Sequence, residues 1–168
     1  YEDLPVYFRV RAVNPTGSMK LVKTTENGKN LSGWKFGIYS DSGCSNLISG
    51  PHTTDSTGAL SVSNLTAGTV YVKELGHTDA SVATLYTCDS ANPQKVTITA
   101  GATATVNFHN RLNTGGVKLV KETNTGKNLD GWQIGLYTDA ACTKPVSGSP
   151  FTTGAEGSVT VSDLSVGT

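Results

Sequence analysis

The stretch Met19-Lys20-Leu21-Val22-Lys23 occurs twice in this chain, returning as Val117-Lys118-Leu119-Val120-Lys121. The residues after each copy repeat as well. Thr-Thr-Glu-Asn-Gly-Lys-Asn-Leu-Ser leads to Gly33-Trp34, and Glu-Thr-Asn-Thr-Gly-Lys-Asn-Leu-Asp leads to Gly131-Trp132. The offset is 98 residues from Lys23 to Lys121 and from Cys44 to Cys142, and 99 from Pro51 to Pro150. That period is too long for a solenoid and equals a small domain, so the chain reads as tandem modules. Within the quoted stretch, an extended backbone turns successive side chains to opposite faces. Met19, Leu21 and Lys23 then share one face, and Lys20 and Val22 the other. Lys23 falls in line with the core, where an ammonium needs a partner or a lowered pKa.

The rest of the composition agrees with strands. The chain has 168 residues, 19 of them glycine, and its 13 basic and 13 acidic side chains cancel. Thr, Ser, Val and Gly dominate, which favours strands and turns. No segment has a 3.6-residue apolar period, and none is apolar for long enough to span a membrane. Balanced charge argues against nucleic acid or an acidic membrane as the main partner. His52, His77 and His109 are scattered without metal-ligand spacing, so no metal and no cofactor is expected. Neither a nucleophile elbow nor a phosphate loop is present.

Strands are expected at 19–24, 34–39, 58–65, 70–74, 83–88, 95–100 and 103–110, with turns at Asn27-Gly28, Ser32-Gly33 and Ala67-Gly68 and a loop-rich segment over 40–57. This many short strands in under 100 residues predicts an all-β sandwich. The chain divides into three segments. Residues 1–15, with Val6, Phe8 and Val10 alternating, read as the closing strand and linker of a preceding module. Residues 16–112 form a complete module. Residues 113–168 match only the first half of a second, which is expected to be poorly stable alone.

Three cysteines are present. A Cys44–Cys88 disulfide is expected in the complete module, leaving Cys142 unpaired; the alternative is three free thiols.

Three polar side chains continue apolar stripes. Lys23 follows Met19 and Leu21, Glu74 follows Val70 and Val72, and Asn110 follows Val106 and Phe108. A lysine, a glutamate and an asparagine at core positions on three strands point to one shared site. Burial favours the uncharged forms of an amine and a carboxylic acid. The Lys23 amine could then attack the Asn110 carboxamide while Glu74 bonds the amide oxygen and passes a proton to departing ammonia. The product would be a Lys–Asn isopeptide bond, made once, without turnover. The bland alternative is a buried Lys–Glu ion pair with Asn110 capping a strand end.

Lys-x3-Asn-Gly-Lys-x-Leu-x-Gly after a strand, Val-Tyr-Val-Lys-Glu after Ala-Gly-Thr, and a terminal Val-x-Phe-x-Asn resemble the CnaB-type domains of Gram-positive surface proteins and pilins. The resemblance covers residues 18–112 fully and 116–168 as a first half. It implies an immunoglobulin-like β-sandwich of reversed connectivity. It also implies an intramolecular bond between first and last strands, with Lys23 and Asn110 as the joined residues and Glu74 as the catalytic one. The second copy keeps Lys121 but lacks equivalents of Glu74 and Asn110. No Leu-Pro-x-Thr-Gly sorting signal and no pilin-type linking lysine is found, so polymerisation is unsupported. Asn92-Pro93-Gln94 is similar to another sorting signal only by chance.

The implied role is a stalk or spacer module of an extracellular, cell-wall-attached protein, an adhesin or pilin-like chain, whose partners are its neighbouring modules. It would be no enzyme beyond the single autocatalytic bond. A binding module gripping a host protein or glycan through its loops is the alternative. Trp34 and Trp132, each after a turn glycine, are expected to pack in the core rather than stack on sugars. Force entering near Gly17 is expected to peel the terminal strands apart unless the bond carries it.

Overall fold

The computed structural model describes Arg9 and residues 13–166. The alternating run around Val6, Phe8 and Val10 lies outside the described residues. The chain divides into two compact units, one ending at Arg111 and one beginning at Leu112.

Unit 1 holds β1 (Thr16–Thr25), β2 (Trp34–Tyr39), β3 (Leu47–Thr53), β4 (Ala59–Thr66), β5 (Gly68–His77), a short α1 (Ala80–Ala83), β6 (Tyr86–Cys88), β7 (Gln94–Ile98) and β8 (Thr103–Leu112). They form two four-stranded sheets, in the orders β4-β1-β8-β6 and β3-β2-β5-β7. Phe36 of one sheet and Phe108 of the other meet with ring centroids 4.9 Å apart. Met19, Leu21, Ile38, Val72 and Val106 are buried in the core. The result is the expected all-β sandwich, closed by aromatic and branched side chains that alternate inward along each strand.

Two features go beyond the sequence reading. The segment 40–57, read as loop-rich, contains β3, an antiparallel partner of β2. It is an edge strand with most of its positions exposed, so it carries no clean alternation. The strand expected over 83–88 is shorter, because Asp79 accepts from the Ser81 amide and caps α1 in front of it.

The first and last strands of unit 1 are neighbours. β1 and β8 run parallel, with Lys23 opposite Phe108 and Thr25 opposite Asn110. On its other side β1 pairs antiparallel with β4. The β3–β4 turn is held by Asp55, whose Oδ1 accepts from the Thr57 and Ala59 amides and the Thr57 hydroxyl. These bonds hold the Asp55 carboxyl below its usual range. The turn ends at Gly58, at φ 81°. Its carbonyl accepts from Lys23 N at 2.7 Å, and a side chain there would run into the Lys23 carbonyl.

Unit 2 contains β9 (Thr114–Val120), β10 (Gln133–Ile134), β11 (Phe151–Thr152) and β12 (Ser158–Ser165). These make two two-stranded sheets, β12-β9 and β10-β11. The register repeats that of unit 1. Lys118 faces Thr160 as Lys20 faces Ser61, and Leu119 faces Val159 as Leu21 faces Leu60. The Thr54 hydroxyl donates to Leu31 O and accepts from Trp34 N, and Thr153 does the same with Leu129 and Trp132. Trp34 is 2% exposed and Trp132 45%. The core expectation therefore holds for the first tryptophan and not for the second.

Candidate functional site

The candidate site stands at one end of the unit 1 core, where three strands end their inward stripes on polar side chains. Burial alternates along β1 without a break from Gly17 to Thr25, so Lys23 points inward behind Met19 and Leu21. β5 buries Val70, Val72 and Glu74, and β8 buries Val106, Phe108 and Asn110. Lys23 is fully buried, Asn110 is 1% exposed and Glu74 9%.

The three side chains are in contact. Lys23 Nζ lies 3.2 Å from Glu74 Oε2. Asn110 Nδ2 donates to Glu74 Oε1 at 2.9 Å. The carboxyl group thus bridges the lysine nitrogen and the carboxamide nitrogen. The bridge is incompletely bonded: the Lys23–Glu74 approach lacks hydrogen-bond alignment, and Lys23 Nζ, Glu74 Oε2 and Asn110 Oδ1 have no hydrogen-bond partner. Buried polar atoms left so are costly and uncommon. Burial holds the Lys23 amine below the usual lysine range, and the Glu74 charge offsets part of that shift. The carbonyl oxygen, which the sequence reading has Glu74 bonding, is instead the unbonded atom of the amide.

Trp34 forms a wall that the sequence reading did not assign to the site. Lys23 Nζ sits 4.7 Å from the centre of its ring. The indole is fixed by Nε1 donating to Asn30 O at 2.7 Å, with His77 and Tyr86 edge-on against it. The Asn27-Gly-Lys-Asn30 turn supplies the rest. Tyr86 Oη donates to Asn27 Oδ1 and accepts from Asn30 Nδ2. Asn30 takes a left-handed conformation (φ 54°) that asparagine tolerates. In unit 2, Lys121 repeats the ring contact at 4.7 Å over Trp132 and donates to Glu122 O. Among the described residues, no glutamate or asparagine side chain is bonded to it.

The Cys44–Cys88 disulfide is not formed; Cys44, Cys88 and Cys142 are free thiols. The topology gives the reason. Cys88 lies close enough to Lys23 and Glu74 to feel their charges, and burial raises its thiol pKa. Cys44 lies in the turn beyond the far end of β2, where Ser40 N bonds Asn46 O. Glu74 is opposite Phe36, three residues short of Tyr39, which is about 10 Å along a strand. A disulfide requires Cα atoms within about 7 Å.

Among the described residues no group of three His, Cys, Asp or Glu side chains could hold a metal ion. No helix among them is long and apolar enough to cross a membrane.

Comparison with known proteins places the fold. The model of the SpaA prealbumin-like fold domain matches residues 17–112. No curated protein matches the sequence. Among solved structures, the Bacillus anthracis TIE protein superposes with a TM-score of 0.66 at 23% identity, over 88% of this chain and 26% of that one. A streptococcal ancillary pilin gives 0.48 at 20% identity, over 92% of this chain and 52% of the pilin. The shaft pilin SpaA of Lactobacillus rhamnosus GG gives 0.46 at 16% identity, over 89% and 82%. This chain thus spans about a quarter of the TIE protein. With 17–112 matched, more than half of its 168 residues, the chain belongs to the family of SpaA prealbumin-like fold domains.

Proposed function

We propose that this chain is a stalk segment of a Gram-positive cell-surface protein, pilin-like or adhesin, whose first module closes itself with a Lys23–Asn110 isopeptide bond. Residues 16–112 are the complete module and 113–168 the first half of a second, with neighbouring modules as partners. The observation that carries the reading is the Glu74 carboxyl placed between Lys23 Nζ and Asn110 Nδ2 in the buried core.

The chemistry balances within these three side chains. The neutral Lys23 amine attacks the Asn110 carboxamide carbon, and a new C–N bond forms. Glu74 takes the proton that the attacking nitrogen sheds and delivers it to the amide nitrogen. The old C–N bond breaks and ammonia leaves. Nucleophile and leaving group each have their own carboxyl oxygen, so one carboxyl group can serve both ends of the transfer. Fixed proximity contributes several kcal/mol toward the barrier. Burial of all three side chains, with the Trp34 ring over the Lys23 amine, keeps water, the competing nucleophile, away.

Intact mass tests this. The chain should weigh about 17 Da less than its sequence, and Lys23→Ala and Glu74→Ala should each restore the full mass. A wild-type chain at its full sequence mass would reject the bond.

A further inference from the structure

Glu74 acts only if its backbone keeps the carboxyl turned inward, and β5 is irregular at this point. On the β2 side the register slips between Lys35 and Phe36, which pair with Gly76 and Glu74 and leave Leu75 unpaired. On the β7 side the last ladder pair is Val72 with Gln94. Glu74 therefore lies beyond the end of one ladder and beside a bulge in the other. A one-residue slip of a strand sends every inward side chain outward.

One side chain replaces the missing ladder. Asn92 Oδ1 accepts from Glu74 N at 3.0 Å, and Asn92 Nδ2 donates to Glu74 O at 3.4 Å. Its amide thus stands in for a strand residue opposite Glu74. The connection that carries Asn92 also reaches β8: Ser90 Oγ accepts from His109 N at 2.8 Å, and Gln94 Nε2 donates to Asn107 O at 2.7 Å. The short crossing from β6 to β7 thereby fastens the backbone of the glutamate and the backbone around Asn110.

We propose that Asn92 is the positioning residue for Glu74, setting where the carboxyl lies between the two nitrogens. Asn92 touches none of the reacting atoms and is exposed, so its loss should alter alignment more than folding. This inference rests on the Lys23–Asn110 bond proposed above, and the experiment separates the two.

The full chain is made by cell-free translation, and loss of ammonia is followed by intact mass across a range of pH. Asn92→Ala is compared with wild type, with Glu74→Gln, and with Val70→Ala, a buried site on the same strand that weakens packing without touching Asn92. Asn92→Ala should close the bond about tenfold more slowly than wild type. Its rate–pH curve should move to higher pH, because an ill-placed carboxylate no longer takes the amine's proton, while Glu74→Gln, the reference without the carboxylate, should keep its full mass throughout. Val70→Ala should keep the wild-type curve. Closure of Asn92→Ala at the wild-type rate, or slowing without the pH shift, would overturn the positioning role. A wild-type chain that never loses ammonia would instead overturn the bond itself.

Discussion

Severing the proposed cross-link by Asn110→Ala should change how unit 1 carries load. β1 and β8 are parallel neighbours, so pulling β1 from its start and β8 from its end shears the pair along its length. The sequence reading expects peeling; parallel pairing makes it shear, in which the ladder bonds are loaded together. With the bond in place, force passes from Lys23 to Asn110 without reaching the 86 residues between them. Those residues hold about 300 Å of contour at about 3.4 Å each. In the unfolded state the bond closes a loop of nearly ninety residues, which is worth about 4.6 kcal/mol if cross-link entropy behaves as it does for disulfides. That corresponds to about 20–35 °C in melting temperature for a module of this size. Single-molecule stretching of the full chain should show an event of about 300 Å in Asn110→Ala that wild type lacks. Unit 2 extends equally in both and serves as the internal reference. Glu74→Gln, which keeps the packing but cannot shuttle the proton, should behave like Asn110→Ala. If wild type gains the same length as the variants, the load account fails, whatever the mass shows.

Further expectations concern the frame and the pH response. Thr54→Val leaves the Trp34 amide and the Leu31 carbonyl without their shared hydroxyl, and should cost unit 1 about 1–3 kcal/mol in denaturant unfolding. Thr153→Val should weaken only unit 2, and a matching loss in unit 1 would disprove the independence of the two pegs. In Asn110→Ala, which cannot cross-link, burial holds the Lys23 pKa below its unfolded value of 10.5. The folded state then binds fewer protons than the unfolded state between the lowered pKa and 10.5, so stability should rise with pH across that window and level off below it. Adding Lys23→Met should remove that rise, and an unchanged slope would show that Lys23 is not its source.

The inward stripes were legible because each strand holds its period of two up to its polar residue. Met19, Leu21 and Lys23 are buried in turn, as are Val70, Val72 and Glu74, and then Val106, Phe108 and Asn110. Alternation names a face and says nothing about distance, so the meeting of the three required the topology. Trp34 was read as core, but its contact with Lys23 joins strands of opposite sheets and leaves no local signal. β3 was hidden because an edge strand exposed at both faces has no stripe to read. Asn92 acts through a side-chain amide on another strand's backbone, a contact that no spacing rule encodes. The disulfide failed for a related reason: spacing places Cys44 after β2 without saying that the turn carries it away from Cys88.

The β1 ladder also bears on how a correct fold is recorded. Lys23 is buried by strict alternation and bonded through its backbone to Gly58. Were β1 to slip by one residue against β8, the amine would face solvent and Asn110 would face nothing reactive. If the proposed Lys23–Asn110 bond forms, closure is an irreversible stamp that only the right register receives. Under that proposal, chains paired wrongly would stay open, able to unfold and try again, while those paired correctly would leave the equilibrium for good. The proposed reaction would then be its own inspection of the fold.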